Sequence, residues 1–300
     1  MFVENLLKNN KEIKPLSKSS SSFSACYDFW VNVLFERTMR LFEWNGLDKK
    51  IPQKEIEIPL LMNGMCAMKH YKGRVTPFFA NYAGEPTVFY DEWKSVSLRS
   101  PKYSAVLKVD EECAVIRNNA LCNSMYPLVH RYAIILAHME VSLVNTLING
   151  RDSGGIPIAS TEQQKKAIET YRDDLCNGRV GSILDPAFSG VQFIGVDKNT
   201  TLNIREIVEC MENTLDSFYN AIGVRTSWNK KGNMIEEEVS ANDSMVMLNI
   251  EDMLEARKRG AEDTNELFGT NITVEKTTIL RYNAGGSEDG TNNSEENTDR

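Results

Sequence analysis

Apolar residues recur at spacings of three and four along several long segments of this chain. Such spacing is typical of helices that bury one face. It predicts helices over 25–44, 127–149, 201–222 and 245–268. A glycine follows each predicted end, at Gly46, Gly150, Gly223 and Gly269, and glycine there is a common helix stop.

Residues 51–125 have a different pattern, with short apolar runs rich in aromatic and β-branched residues and punctuated by Gly and Pro. This texture predicts a compact set of short strands with one helix among them. A further short strand is predicted at NITVEK, just after Gly269. The fold class expected from the whole chain is α+β.

The segment 127–149 is apolar around its whole circumference. Its large apolar residues are Leu128, Val129, Ile134, Ile135, Leu136, Val141, Leu143, Val144, Leu147 and Ile148. A membrane span would place Arg131, His138 and Glu140 in lipid, at a high cost. A core helix of a monomer would need cover on every side, and neighbouring subunits in a ring would supply that cover. All three interpretations stay open at this point.

Between the second and third helices lies a small insertion, 151–198, with helix and strand signals. STEQQKKAIETYRDDLCNG predicts a helix, with Ser160 and Gln163 as a capping box and Gly178 as its stop. VGSILD and VQFIGVD predict two short strands. After the third helix, the polar stretch 224–244 predicts a loop of about twenty residues, a length that is more often functional than accidental.

Composition and charge narrow the function. The 300 residues are 41% hydrophobic and 25% charged with a net charge of −8, which argues against a protein that coats DNA. The six cysteines have no CxxC spacing and only three histidines occur, so we expect reduced thiols and no metal site. Residues 1–24 predict a mildly basic flexible arm without a signal peptide, and 283–300 a disordered acidic tail.

The sequence contains no recognised catalytic motif. It has no GxxxxGK[ST], HExxH, GxSxG or GxGxxG. Its paired acids, such as Asp173-Asp174 and Glu111-Glu112, lie in polar runs typical of solvated surface. We therefore expect a structural protein with no cofactor rather than an enzyme.

Four motifs then carry a resemblance: LFEWNGL at 41–47, AIGV at 221–224, EEEVSANDS at 236–244 and NELFGTNITVE at 265–275. Their order and separation resemble those of the upper collar protein of small short-tailed phages with protein-primed DNA replication. That family forms the portal, or head-to-tail connector. The resemblance covers about residues 25 to 280, at low overall identity.

The resemblance implies a twelve-subunit ring at one capsid vertex, with double-stranded DNA passing through its centre. It implies a flexible arm at 1–24, a wing formed by 25–126 and 245–282, and a disordered tail at 283–300. Two stem helices would lie at 127–150 and 200–223, with a clip at 151–199 between them. A channel loop would follow at 224–244. Expected partners are the major capsid protein, a lower collar or tail protein, and a separate packaging ATPase, with packaging RNA as a further candidate. The protein would assemble in the host cytoplasm and reside in the virion.

A conduit for DNA should not hold it tightly, because each firm phosphate contact adds affinity that slows movement. A net acidic channel with a few basic rings suits sliding. The candidate channel residues are Lys198, Arg205, Trp228, Lys230, Lys231, Glu236, Glu237 and Glu238. A membrane protein anchored by the apolar helix and a tail adaptor ring are the alternatives.

Overall fold

A computed structural model describes residues 22–89, 93–149, 156–176, 186–194, 204–224 and 236–277. Two compact units are found among them. The helical unit comprises the residues up to Leu34 together with His130–Leu215, and the mixed unit comprises Phe35–Val129 together with the residues from Asp216 onward. The α+β class predicted from the sequence is confirmed.

The mixed unit is built on a five-stranded antiparallel sheet. Its strands are β2 (Met65–Tyr71), β3 (Arg74–Pro86), β4 (Trp93–Ser100), β5 (Tyr103–Lys108) and β6 (Ala114–Arg117), in the spatial order β5-β4-β3-β2-β6. Apolar residues of alternating strand positions, including Phe78, Ala80, Val96 and Leu98, form the core on one face. The prediction of short strands over 51–125 is confirmed.

The one helix expected in that region is α2 (Lys54–Asn63). It ends at Gly64, whose φ of 84° suits only glycine. A Cβ there would lie 1.8 Å from the Cys122 carbonyl oxygen. The apolar run beginning at Ile56 is therefore divided, with helix before Gly64 and strand after it.

The first helix is shorter than predicted. It is α1 (Ser22–Met39), and strand β1 (Phe42–Asn45) follows it, where the sequence pattern predicted helix as far as Trp44. Phe42 and Trp44 are buried while Glu43 and Asn45 are exposed, which is the period of a strand. β1 pairs in antiparallel register with β9 (Thr273–Lys276), the strand predicted at NITVEK.

The long apolar segment forms helix α3 (Tyr126–Asn149), within one residue of its predicted start. The small insertion contains β7 (Ile156–Ile158), helix α4 (Glu162–Cys176), a 3-10 turn at Pro186–Phe188 and β8 (Gln192–Ile194). β7 pairs with β8. The strand predicted at VGSILD and the stop at Gly178 lie outside the described residues.

The cap of α4 is displaced by one residue from the prediction. Thr161, not Ser160, accepts through Oγ1 the hydrogen bond from the Gln164 amide, at 3.2 Å. Gln164, not Gln163, returns a bond by accepting the Ser160 amide through Oε1, at 2.8 Å. The reciprocal logic of a capping box holds with different partners.

The last two helices are α5 (Ile204–Ala221) and α6 (Glu236–Phe268). The prediction of a loop through 244 is wrong for 236–244, because α6 begins nine residues before the predicted Met245. No Gly or Pro interrupts that stretch, and acids in a first turn interact favourably with the helix dipole. A run of consecutive like charges disfavours burial, but it is compatible with a helical turn. Over the described residues, no helix is long and apolar enough to cross a membrane.

Candidate functional site

Most of the predicted channel residues fall where the structure gives no side-chain description. Lys198, Trp228, Lys230 and Lys231 lie outside the described residues. Glu236, Glu237 and Glu238 form the start of α6 rather than part of a loop, and only their backbone is described. The structure therefore brings no set of these residues together, and their role in a channel stays a prediction.

Arg205 is the one predicted channel residue whose side chain is described. It lies in the first turn of α5, where the sequence placed it one or two turns into the helix. Its Nε donates to Glu209 Oε1 at 2.9 Å, and its side chain is 81% exposed. An exposed pair of this spacing stabilises a helix by only about 0.3–0.5 kcal/mol.

Helix α3 is far less covered than its composition requires. Of the ten large apolar residues that the sequence singled out in it, only Val129 and Leu136 are buried. Leu147 is 45% exposed. The described chain thus leaves most of this apolar helix partly open to solvent.

Cover on the first half of α3 comes from α1, within the helical unit. Trp30 Nε1 donates to Glu140 Oε2 at 2.7 Å, and Tyr27 Oη lies 2.6 Å from His130 Nδ1. The Phe23 ring lies 4.4 Å from the His138 ring. Two of the three polar residues that argued against a membrane span, His138 and Glu140, therefore contact side chains of α1.

Cys26 of α1 and Thr214 of helix α5 also lie close to α3. Burial, together with the nearby Glu140 carboxylate, raises the pKa of Cys26 to about 11. Helix α5 approaches the same helix, where Thr214 Oγ1 lies 3.8 Å from Met139 Sδ. Burial in α3 within the helical unit is confined to Ala133, Leu136 and Ala137.

Residues 141–148, which we call the distal segment of α3, have no buried member. Its hydroxyls bond within the helix, since Ser142 Oγ donates to the His138 carbonyl and Thr146 Oγ1 to the Ser142 carbonyl, each at 2.8 Å. Its apolar side chains are Val141, Leu143, Val144, Leu147 and Ile148. The distal segment therefore offers apolar area with its own hydroxyl groups already bonded, which suits cover by another apolar surface.

Two of the four motifs that carried the family resemblance meet in the mixed unit. LFEWN and NITVE, more than 220 residues apart, pair as β1 and β9, with Phe42 opposite Lys276 and Asn45 opposite Thr273. Gly46 adopts a φ of 78°, and a Cβ there would lie 1.9 Å from the Asn271 carbonyl oxygen. The glycine of LFEWNGL is thus required by the loop that leads into β9.

Asn265 shapes the turn between α6 and β9. Its Oδ1 accepts hydrogen bonds from the Ile272 amide and the Thr270 hydroxyl, both at 2.7 Å, while its Nδ2 donates to the Ile272 carbonyl at 2.8 Å. One side chain satisfies three polar groups where the chain reverses. The asparagine of NELFG therefore sets the approach of β9 to β1.

The AIGV motif closes α5 against α6. Gly223 has a φ of 82°, and a Cβ there would lie 2.8 Å from the Ile250 Cβ. Asn249 Nδ2 donates to the Ala221 carbonyl at 2.9 Å. Three of the four motifs thus have packing roles within the mixed unit, and the fourth lies where side chains are not described.

A buried ion pair that sequence reasoning missed holds the centre of the mixed unit. Arg257 and Glu57 are fully buried, and Arg257 donates to both carboxylate oxygens, at 3.1 Å from Nε and 2.9 Å from Nη2. The remaining donors reach the Asn118 carbonyl and Oδ1 and the Met253 carbonyl. Trp44 Nε1 also donates to Glu57, at 2.7 Å. The pair is fully hydrogen-bonded, as a buried charge requires.

A sequence signal for Arg257 did exist. It falls on the same stripe of α6 as the buried residues Ile250, Met253, Leu254 and Ala261, at spacings of three and four. A charged residue on a buried stripe predicts a buried partner of opposite charge. Glu57 carries a similar signal, because it lies three and four positions before Leu60 and Leu61, which are buried on α2.

The described residues contain no group of His, Cys, Asp and Glu that could hold a metal ion. All six cysteines are free. Burial raises the pKa of Cys66, and it raises that of Cys113 to about 12, so these thiols stay protonated and unreactive near neutral pH. Of the paired acids, Glu111 is exposed and bonded to Lys108 Nζ at 3.0 Å.

No protein-family model matches the sequence. Among solved structures, the chain is similar to one of the portal and tail of native bacteriophage P68, at 14% identity and a TM-score of 0.45, covering 92% of this chain and 96% of that one. It is similar to an HK97-family phage portal protein from Corynebacterium diphtheriae, at 8% identity and a TM-score of 0.47, covering 91% and 99%. It is also similar to a chain of the virion of a native gene transfer agent particle, at 10% identity and a TM-score of 0.44, covering 94% of each chain.

Proposed function

We propose that this chain is a portal subunit, one of a ring of identical copies at a capsid vertex through which double-stranded DNA is packaged and ejected. Within that class we assign it to the upper collar type, with twelve copies. It would act as a structural protein rather than an enzyme and would contact the major capsid protein and a lower collar or tail protein. A separate ATPase would drive the DNA, with packaging RNA as a further candidate partner.

One observation carries the proposal: an apolar helix of 24 residues whose distal segment has no buried residue. Burying apolar surface stabilises by about 25 cal/mol per Å² removed from water. We infer that another molecule covers the apolar surface that the described residues leave open. Identical copies are the occupant that the family resemblance supplies, because each copy brings the same helix to a closed ring.

The sequence motifs support the family. LFEWN and NITVE are far apart in sequence yet pair as the strands β1 and β9. The glycine of AIGV packs against Ile250 of α6, and the asparagine of NELFG holds the turn that follows α6. Motifs with separate packing roles that occur in the family's order are unlikely to share that order by chance. We assign the wing to residues near 25–126 and 245–282, the stem to α3 and α5, and the clip to 151–199.

The channel assignment is part of the same proposal. Lys198, Arg205, Lys230 and Lys231 would form weak basic rings, and Glu236–Glu238 an acidic one beside Trp228. The side chain of Arg205, which is 81% exposed, is consistent with brief contact to a moving phosphate backbone. Deleting 229–238 should leave rings and packaging intact but yield heads that lose DNA; heads that keep a full genome would contradict the assignment.

The ring is tested with two matched substitutions in the distal segment. Leu147→Asp and Asn145→Asp each add one carboxylate, at positions about 200° apart around the helix at 100° per residue. We expect wild type and Asn145→Asp to sediment as large rings, and Leu147→Asp to remain a folded smaller species with the same far-UV circular dichroism. A wild-type chain that is a stable folded monomer at micromolar concentration would disprove the ring.

A further inference from the structure

One end of the five-stranded sheet is strongly basic, although the chain as a whole carries a net charge of −8. The β2–β3 turn is closed by the Tyr71–Arg74 pair and the β4–β5 turn by the Ser100–Tyr103 pair. Because the strands alternate in direction, both turns lie at the same end of the sheet. The basic residues of this end, which we call the cationic rim, are Lys49, Lys50, Lys69, Lys72, Arg74, Arg99 and Lys102.

An aromatic cluster fastens the two turns together. The ring centroids of Tyr71 and Tyr103 are 5.1 Å apart, and Phe78 lies 5.7 Å from the first and 5.3 Å from the second. Lys69 Nζ stands 5.8 Å from the Tyr103 ring, and Lys72 Nζ 5.3 Å from the Tyr71 ring. Both ammonium groups are therefore held over aromatic faces, which favours ordered positions.

The segment before α2 joins this rim through Asp48. Arg74 Nε lies 3.3 Å from Asp48 Oδ2, and Asp48 Oδ1 accepts the Lys50 amide at 2.9 Å. These bonds place Lys49 and Lys50 beside the β2–β3 turn, and both are exposed. Asp48 is the one acid in the segments 48–50, 69–74 and 99–103, against seven basic residues.

The rim has the form of an open surface. At Gly73, on the tip of the β2–β3 turn, a Cβ would meet no atom within 4 Å. Six of the seven basic residues are exposed, and Lys69 is half-buried. Charges spread over three segments, without a cleft around them, match a partner that is long and repeatedly negative better than a small anion.

We propose that the cationic rim binds the phosphate backbone of a nucleic-acid duplex. Seven like charges repel one another, and a polyanion relieves that repulsion while releasing its own counterions. Phosphate contacts by Lys and Arg on turns read shape and charge rather than sequence, so the binding would be non-specific. The proposal does not require the ring, because the charges of one chain form the rim, and it concerns a surface separate from the proposed channel residues.

The test uses the full-length protein and a fluorescein-labelled DNA duplex of about 24 base pairs, followed by anisotropy from about 50 to 200 mM salt. The rim variant is Lys49→Gln/Lys72→Gln/Lys102→Gln. The matched control is Lys165→Gln/Lys166→Gln/Lys258→Gln, which removes the same number of positive charges from exposed positions on α4 and α6. Thermal unfolding verifies that both variants fold.

We expect the rim variant to lose at least about tenfold in affinity, with a log–log salt slope smaller by about 3, while the control stays within about twofold of wild type. Restoring charge with Lys49→Arg/Lys72→Arg/Lys102→Arg should restore binding. Equal loss in rim and control variants, or no binding by wild type, would overturn the proposal. So would a rim that binds a peptide of residues 283–300 but not the duplex, since its partner would then be an acidic protein segment.

A duplex RNA of the same length separates the two sources of phosphate. Binding of either duplex that depends on the rim supports the inference, and the tighter of the two identifies the source. Ring assembly is followed by sedimentation in the same samples. A chain that binds the duplex without forming rings would remove the proposed function and leave this inference standing.

Discussion

The centre of the mixed unit and the distal segment of α3 differ in how completely the described residues bury and hydrogen-bond their side chains. Around Arg257, a fully buried charge has partners for its guanidinium donors from α2, α6 and the loop after β6. In the distal segment, by contrast, five apolar side chains have no complete cover. The described residues complete the first region within one polypeptide, and our proposal has another copy complete the second. Stability and assembly should therefore be separable by mutation.

The largest effect is expected from breaking the buried ion pair. Arg257→Met leaves the Glu57 carboxylate buried without its partner, which should cost about 3–5 kcal/mol of unfolding free energy. Urea unfolding followed by circular dichroism measures it. Arg259→Met removes a guanidinium two residues further along α6, where it is exposed and bonded to Glu255 at 2.7 Å. That control should change stability by less than about 1 kcal/mol, and equal losses would contradict the assignment.

Two leucines of α3 sharpen the comparison within a single helix. Leu136 is fully buried and Leu147 is 45% exposed, and eleven residues return nearly the same face of a helix. Leu136→Ala should cost about 2–5 kcal/mol in the unfolding of the chain. Leu147→Ala should cost less than about 1 kcal/mol there but should dissociate the ring at a higher protein concentration. A dilution series followed by sedimentation checks the second expectation; indistinguishable variants would remove it.

Glycines test how tightly the β1–β9 ribbon is closed. Gly46→Ala places a Cβ 1.9 Å from the Asn271 carbonyl oxygen, with φ at 78°, so we expect a loss of about 2–3 kcal/mol. Gly73→Ala has a similar φ of 81° but meets no atom within 4 Å, and should lose only about 1 kcal/mol. Because the two glycines have a similar φ, the difference between the two stability losses measures the cost of the steric contact with Asn271.

Thiol reactivity should differ between the exposed and the buried cysteines. Cys210 is exposed, while burial raises the pKa of Cys26 to about 11 and that of Cys113 to about 12. At pH 8 only about 0.1% of Cys26 would be thiolate. We expect Cys210 to react first with an aromatic disulfide reagent, and Cys26 and Cys113 to react only after urea is added. Rapid labelling of Cys113 in the folded protein would contradict its burial.

The smallest effect concerns Asp263. Burial, and then the nearby Asp110, Glu262 and Glu266, raise its pKa above the ordinary value, although Arg117 opposes this. A raised pKa means that folding favours the protonated acid, so stability falls as pH rises from the ordinary Asp range through the folded pKa.

Asp263→Asn should therefore raise the Tm at pH 7, and the gain should disappear at pH values below the ordinary Asp pKa. Asp28→Asn, on an exposed face of α1, is the matched control for the loss of one carboxylate. Melting curves over that pH range measure both. A gain that persists at low pH would mean that charge is not its cause.

The sequence predicted the elements well where one periodicity ran between clear stops. Helix α3 was placed within one residue because Pro127 and Gly150 bracket an unbroken apolar run. Strand β1 was missed because Leu41 and Phe42 continue the apolar spacing of α1, and only the pairing with β9 reveals the change of period. The start of α6 was missed because three consecutive acids were read as loop.

The candidate site was less accessible to prediction. Glu57 lies on the buried stripe of α2 with Leu60 and Leu61, but the sequence does not indicate that its partner is Arg257, two hundred positions later. The cationic rim likewise assembles from three segments that only the sheet register brings together. By contrast, the sequence does indicate that α3 is hard to cover, since its apolar residues occupy the whole circumference, and the described residues leave most of them incompletely buried.

The β1–β9 ribbon also governs when the protein can fold during its synthesis. Phe42 is made early and its partner Lys276 near the end, so the ribosome needs on the order of ten to fifty seconds between them. Until then β1 exposes an unpaired edge, and Arg257 has not yet joined Glu57. The helical unit, whose described segments end at Leu215, is complete on the nascent chain much sooner. Its apolar helix would thus await cover before the mixed unit closes, so we expect chaperone binding to raise the yield of folded protein most from slowly translated messages.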